Sequence, residues 1–104
     1  MVLEVAVLDV VSSMQDAFEE SFRKASPLIA GSSGYISHEL RRCVEKSNRY
    51  LLLVQWQTLE DHTVGFRSSQ QYAEWKRLLH PFYDPFPMVE HYVELGQCPT
   101  MGRQ

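Results

Sequence analysis

Trp56, Tyr72 and Trp75 place indole and phenol groups in a chain of 104 residues that also carries four histidines, His38, His62, His80 and His91. An indole N–H and a phenolic O–H can hold an oxyanion, and a histidine titrating near neutrality can take a proton. His80 stands directly before Pro81 and the Phe82-Tyr83 pair, a loop placed to lid a pocket, and it is the preferred candidate base. A histidine at the C-terminal end of a helix also stabilises the helix dipole, so a purely structural reading stays open. His62 falls in a short turn, where solvation is expected. His38 and His91 fall on edge strands, where contacts across subunits would use them. Asp9, near the end of the first strand, is a further proton acceptor or simply a solvated strand end. The three aromatics read equally well as core residues whose polar ends find partners. No HExxH, CxxC, GxSxG, P-loop or GxGxxG occurs, and Ser, His and Asp show no triad signature, so no metal centre is expected.

The elements that must position these groups follow from periodicity. Residues 3–10 are rich in β-branched side chains and read as a strand. A helix follows over 14–30. Met14, Phe18, Phe22 and Ala25 form its apolar stripe, Ser12 and Gln15 have capping-box spacing, and Pro27 ends or kinks it. A Gly31–Gly34 turn leads to a polar edge strand over 35–44, a loop over 45–48 and a third strand over 49–57. Thr58 and Asp61 open a short helical turn over 59–65. Ser68 and Gln71 have capping-box spacing before a second helix over 69–80, with Tyr72, Trp75 and Leu79 as its buried stripe. Pro81 stops that helix, an aromatic and proline-rich loop follows, and the last strand covers 88–95. The order βαββαβ matches a ferredoxin-like α+β fold, a four-stranded antiparallel sheet with both helices on one face. Residues 1–96 form one domain and 97–104 a tail.

The third strand, YLLLVQW, does not alternate. In the ferredoxin-like plan it and the first strand are central, and both read as apolar on the two sides. Helices cover one side only. Leaving a few hundred Å² of apolar surface bare would cost several kcal/mol at about 25 cal/mol per Å². A second copy of the chain is the simplest cover, so a homodimer through the sheet faces is expected.

Composition excludes several partners. A net charge of −3, with only Arg23-Lys24, Arg41-Arg42 and Lys76-Arg77 as basic pairs, argues against a nucleic-acid surface. No apolar run approaches membrane-spanning length, and the N-terminal MVLEVAVLDVV lacks a basic leader, so no membrane partner is expected. Cys43 and Cys98 fit two free thiols in a reducing compartment, and a cytoplasmic location is the simplest expectation.

The segments GYISHEL at 34–40, LVQW at 53–56, FRSSQQYAEWK at 66–76 and VEHY at 89–92 resemble the antibiotic biosynthesis monooxygenase family of dimeric α/β barrels. The likeness spans about residues 2–95. It implies a barrel of two facing sheets, with a pocket for a small aromatic ligand between sheet and helices in each subunit. The resemblance also implies oxidation of an electron-rich phenol or anthrone by O₂ without metal, flavin or heme, so no cofactor is expected. The residues expected around the ligand are Phe18, Phe22, Phe66, Tyr72, Trp75 and Tyr83, with Trp56 as donor and His80 as base. A heme-degrading branch of the family needs an asparagine on the first strand, and a Trp and a His ten residues apart on the second helix. The first strand here has no asparagine, and Phe66 and Lys76 hold the other two positions. Heme degradation is therefore disfavoured. Quinone-forming members carry an asparagine four residues before the third-strand tryptophan, where this chain has Leu52. The alternative is a non-enzymatic ligand-binding or regulatory homodimer of the same fold, favoured by a pocket filled with aromatics. An open pocket with a buried polar group favours chemistry.

Overall fold

The structure, a computed structural model, describes residues 1–96. Cys98 and the expected tail over 97–104 lie outside the described residues. Four strands, β1 (Val2–Asp9), β2 (Tyr35–Arg42), β3 (Arg49–Trp56) and β4 (Val89–Tyr92), form one antiparallel sheet in the order β2-β3-β1-β4. Helices α1 (Gln15–Ala30) and α2 (Gln70–Leu79) pack on each other and on the sheet. A π-helical turn (Asp61–Phe66) leads into α2, and a short 3₁₀ turn (His80–Phe82) follows it. This is the expected ferredoxin-like α+β plan, with β1 and β3 central. No helix among the described residues is long and apolar enough to cross a membrane.

The alternation of each strand decides which side chains meet the helices. Ala6 and Leu8 of β1 and Tyr50, Leu52, Val54 and Trp56 of β3 are buried. They pack with Phe18, Phe22, Ala25 and Ile29 of α1 and with Trp75 and Leu79 of α2. Leu3, Val5, Leu51 and Leu53 take the opposite phase and stay partly exposed, and Val7 is 41% exposed. The sheet thus has one covered face and one apolar face that nothing among the described residues covers. The expectation that β1 is apolar on both sides needs correction at one point, because Glu4 shares the buried phase of Ala6 and Leu8.

Helix termini also depart from expectation. Ser12 does not cap α1. Ser13 takes a left-handed φ of 74°, and Met14 stands at the N-cap without a side-chain bond. Met14 is exposed, and Ile29 completes the buried stripe instead. Pro27 neither ends nor breaks α1. It lies in the last turn, where only the bond to the Arg23 carbonyl is lost and three more residues complete the helix, and its carbonyl accepts from the Gly31 N–H at 3.0 Å. The cap of α2 is Ser69 rather than Ser68. Its hydroxyl oxygen accepts from the Tyr72 N–H at 3.1 Å, while the Ser68 hydroxyl donates to the Val64 carbonyl. A bulge between Tyr35 and Ser37 accounts for the irregular alternation of β2.

Gly34 fixes the entry to β2. Its φ is +82°, and a Cβ there would lie 2.1 Å from Asp61 Cγ. The space is needed because the Asp61 carboxylate docks there, accepting from the Thr58 N–H at 3.2 Å and from the Thr58 hydroxyl at 2.9 Å. That cap starts the turn that carries His62 and Phe66.

Candidate functional site

Four elements bring one cluster of polar groups together on the helix-facing side of the sheet. Glu4 on β1 stands opposite Val54 of β3 on one side and opposite His91 of β4 on the other. Paired residues share a face, so the Glu4 and His91 side chains both point toward the helices. Trp56, the last residue of β3, donates its indole N–H to Glu4 Oε1 at 3.0 Å. The π-helical turn then folds His62 flat against Trp56, with ring centroids 5.3 Å apart and planes 17° apart. His62 Nε2 lies 3.3 Å from Glu4 Oε1, and His62 Nδ1 shares a hydrogen bond of 2.8 Å with His91 Nε2. Glu4 is 5% exposed and His62 4% exposed. Both contacts to the carboxylate reach Oε1, and Oε2 has no hydrogen-bond partner among the described residues.

Burial controls the charge of this cluster. It pushes the Glu4 carboxyl above the ordinary carboxylate range, against the pull of the Trp56 N–H and the Arg67 guanidinium. It pushes His62 down to about 3, with help from Arg67 and His91, and it lowers His91 as well. The Glu4–His62 separation would suit an ion pair, but a histidine that titrates so low is neutral at neutral pH. The contact is therefore between a carboxyl group and a neutral imidazole. Arg67 itself is exposed and makes no ion pair among the described residues.

Beside the cluster lies a cavity of about 360 Å³. Glu4, His62, Arg67 and Leu52 line it together with Phe66, Tyr72 and Trp75. His80, Tyr83 and Phe86, from the segment after α2, complete the wall. That segment is pinned to the end of β1. The Val11 N–H donates to the Phe82 carbonyl and the Asp84 N–H to the Asp9 carbonyl, both at 2.8 Å. His80 stands edge-on to Phe86 at 4.9 Å and close to Tyr83 at 5.7 Å. Burial first, then the nearby Lys76 ammonium, lowers its pKa, so it is neutral at neutral pH. Burial holds the Tyr83 hydroxyl protonated.

Phe66, Tyr72, Trp75, His80 and Tyr83 therefore line one cavity. Trp56 is fully buried behind it, and its N–H is occupied by Glu4. Phe18 and Phe22 lie deeper, against Tyr50 at 4.8 Å and against Trp75 at 5.8 Å, and are not among the lining residues. His62, expected in solvent, is buried because the wide π-helical turn tucks it under Trp56. His91 shares a hydrogen bond with His62 of its own chain. His38 likewise shares bonds within the chain, with the Tyr35 hydroxyl at 2.5 Å and with Ser26 Oγ at 3.3 Å. Asp9 pairs with Arg49 at 2.8 Å at the strand end, away from the cavity. Glu4 and Arg67 were missed by sequence reasoning. Glu4 had a signal, since its position has the same parity as Ala6 and Leu8.

The fold matches known proteins. A family model described as antibiotic biosynthesis monooxygenase matches residues 1–78, and the chain belongs to that family. The chain is 54% identical over 95 residues to the uncharacterized protein YczJ of Bacillus subtilis (strain 168), covering 91% of this chain and all of YczJ. A Bordetella bronchiseptica protein with the same family description is 31% identical. Its crystal structure superposes with a TM-score of 0.86, over 90% of this chain and 96% of that one. SnoaB, a cofactor-independent oxygenase from Streptomyces nogalater, is 17% identical in a mutant structure. It shares the fold at a TM-score of 0.80, over 95% of this chain and 97% of its own.

Proposed function

We propose that this chain is a small cofactor-independent monooxygenase acting on an electron-rich aromatic molecule, a phenol or an anthrone, in the cytoplasm. The observation that carries the reading is the open cavity of about 360 Å³, walled by Phe66, Tyr72, Trp75 and Tyr83 and holding a buried carboxyl group at its edge. Flat aromatic walls suit a flat aromatic ligand. The chemistry asks little more of the protein. A base removes a proton from the bound substrate, and the anion passes one electron to O₂. The two radicals combine to a peroxide, which loses water to leave a carbonyl. For an anthrone, one CH₂ and one O₂ become one C=O and one H₂O, so atoms and electrons balance. Two groups on the wall can take the proton, His80 from the end of α2 and Glu4 from β1.

The same reading makes the protein a homodimer. Leu3, Val5, Val7, Leu51 and Leu53 form the uncovered face of the sheet, and a second sheet laid on it by a two-fold axis removes that surface from water.

A second reading, a ligand-binding dimer without chemistry, is favoured by one observation. Leu52 puts a methyl-bearing side chain on the wall where quinone-forming relatives place an amide. An oxygen electrode separates the two readings. With a panel of phenols and anthrones, oxygenation predicts saturable O₂ uptake well above the buffer rate. Uptake equal to buffer, with ligands bound, favours the second.

A further inference from the structure

The polar cluster at the cavity edge is built around one oxygen. Two groups converge on Glu4 Oε1, the Trp56 N–H at 3.0 Å and His62 Nε2 at 3.3 Å, while Oε2 stays unpartnered among the described residues. A carboxylate that is 95% buried normally has its lone pairs satisfied. One that is held rigidly through one oxygen and left free at the other, on a cavity wall, is set to accept a proton or a donor from a ligand.

We propose that Glu4 is the residue that takes the substrate's proton, and that His62 and His91 are positioning residues that hold its carboxylate. This assignment rests on the reading of the cavity as a site for an acidic aromatic molecule. The assignment takes the His62 tautomer in which Nδ1 accepts from His91. A neutral His62 carries one proton. With His91 Nε2–H donating to His62 Nδ1, that proton sits on His62 Nε2, and its N–H dipole lies beside Glu4 Oε1. His91 thus sets the tautomer of His62, and His62 with Trp56 fixes the carboxylate. In the step itself, the substrate's C–H or O–H bond breaks and its proton bonds to Glu4 Oε2. The electron pair stays on the substrate as an aryl-stabilised carbanion or phenolate. Glu4 then stands as a neutral acid.

The groups facing Glu4 set its strength as a base. They are the Trp56 N–H from β3, His62 and Arg67 from the π-helical turn and the residue after it, His91 from β4, and Tyr83 from the loop after α2. Burial lifts the carboxyl toward the range where a general base works best at neutral pH.

The test is proton exchange without oxygen. Anthrone is held with the protein in D₂O under nitrogen, and loss of its methylene proton signal is followed by NMR. The native protein is expected to speed exchange, and Glu4→Gln to lower the protein-dependent rate by about 100-fold or more. Gln is close to isosteric, and a thermal melt confirms that the variant folds. Glu4→Asp restores part of the rate. His62→Leu moves the acidic limb of the rate profile to higher pH, because the ionised carboxylate loses a dipole. A merely structural role for His62 lowers the rate at every pH without moving the limb. Native exchange no faster than buffer overturns the assignment, as does exchange that survives Glu4→Gln and is lost in His80→Gln. Native exchange that Glu4→Gln abolishes, with no O₂ uptake in air, keeps Glu4 as the base and sinks the oxygenase reading alone.

Discussion

Replacing His62 with phenylalanine should make the protein less sensitive to acid. His62 has an ordinary pKa of 6.5 and is pushed down to about 3 by burial, Arg67 and His91. Between those two values the unfolded chain binds a proton at this position and the folded chain does not. Acidification therefore favours the unfolded state, and stability is lost as pH falls through the window. Each pH unit inside it costs about 1.36 kcal/mol. Going from pH 7 to pH 4.5 removes about 2 to 3 kcal/mol through His62 alone. Phenylalanine keeps a ring against Trp56 and has no proton to bind. It also takes a dipole from Glu4 and raises that carboxyl further. The folded state then holds the Glu4 proton over a wider range, which again softens acid sensitivity. His38, His80 and His91 are shifted downward too, but they are present in both chains and largely cancel. Urea denaturation at pH 7 and pH 4.5, at one fixed protein concentration, gives the loss for each chain. The native protein should lose about 2 to 3 kcal/mol more than His62→Phe. Losses that agree within about 0.5 kcal/mol would refute a buried neutral His62 and with it the tautomer assigned above.

Gly34→Ala should cost at least about 2 kcal/mol in a thermal melt, because φ is +82° and the new methyl would strike the docked Asp61 carboxylate. Ser69→Ala removes the cap that accepts from the Tyr72 N–H and should cost about 1 kcal/mol. Leu53→Glu places a charge in the middle of the uncovered sheet face. Sedimentation at micromolar concentration should show a dimer for the native chain and monomers for this variant. A native chain that sediments as a monomer would contradict pairing through that face.

Much of the fold was legible because its signals are local. The β-branched run at the start, the stripe Phe18-Phe22-Ala25 and the glycine and proline breaks each report on a few neighbouring residues. The uncovered face could be read from β3 because YLLLVQW refuses to alternate. What escaped depends on geometry that sequence spacing does not carry. Ser12 resembles a cap, yet the positive φ of Ser13 turns the chain so that Met14 opens α1 without one. His62 reads as a turn residue. Only the wider pitch of a π-helical turn rotates it under Trp56, and nothing in DHTVGF announces that pitch. His91 reads as an edge-strand histidine until the β1–β4 register sets it across from Glu4. Glu4 itself was readable. Its parity with Ala6 and Leu8 puts a carboxylate on the core face of a central strand, a placement tolerated only where partners or function require it. Five of the cavity-lining residues, Phe66, Tyr72, Trp75, His80 and Tyr83, came from the family resemblance and from helix phase together. Phe18 and Phe22 lie on α1 in the same core but do not line the cavity.

Labelled oxygen gives the most direct test of the central claim, that this cavity oxidises an aromatic substrate with O₂ and no cofactor. Metal-stripped protein is incubated with anthrone under ¹⁸O₂, and the product is weighed by mass spectrometry. The account predicts a quinone carrying one ¹⁸O in its new carbonyl, formed at a saturable rate that falls to the buffer level in Glu4→Gln. A product formed no faster than in buffer, or one whose new oxygen comes from water, would contradict it.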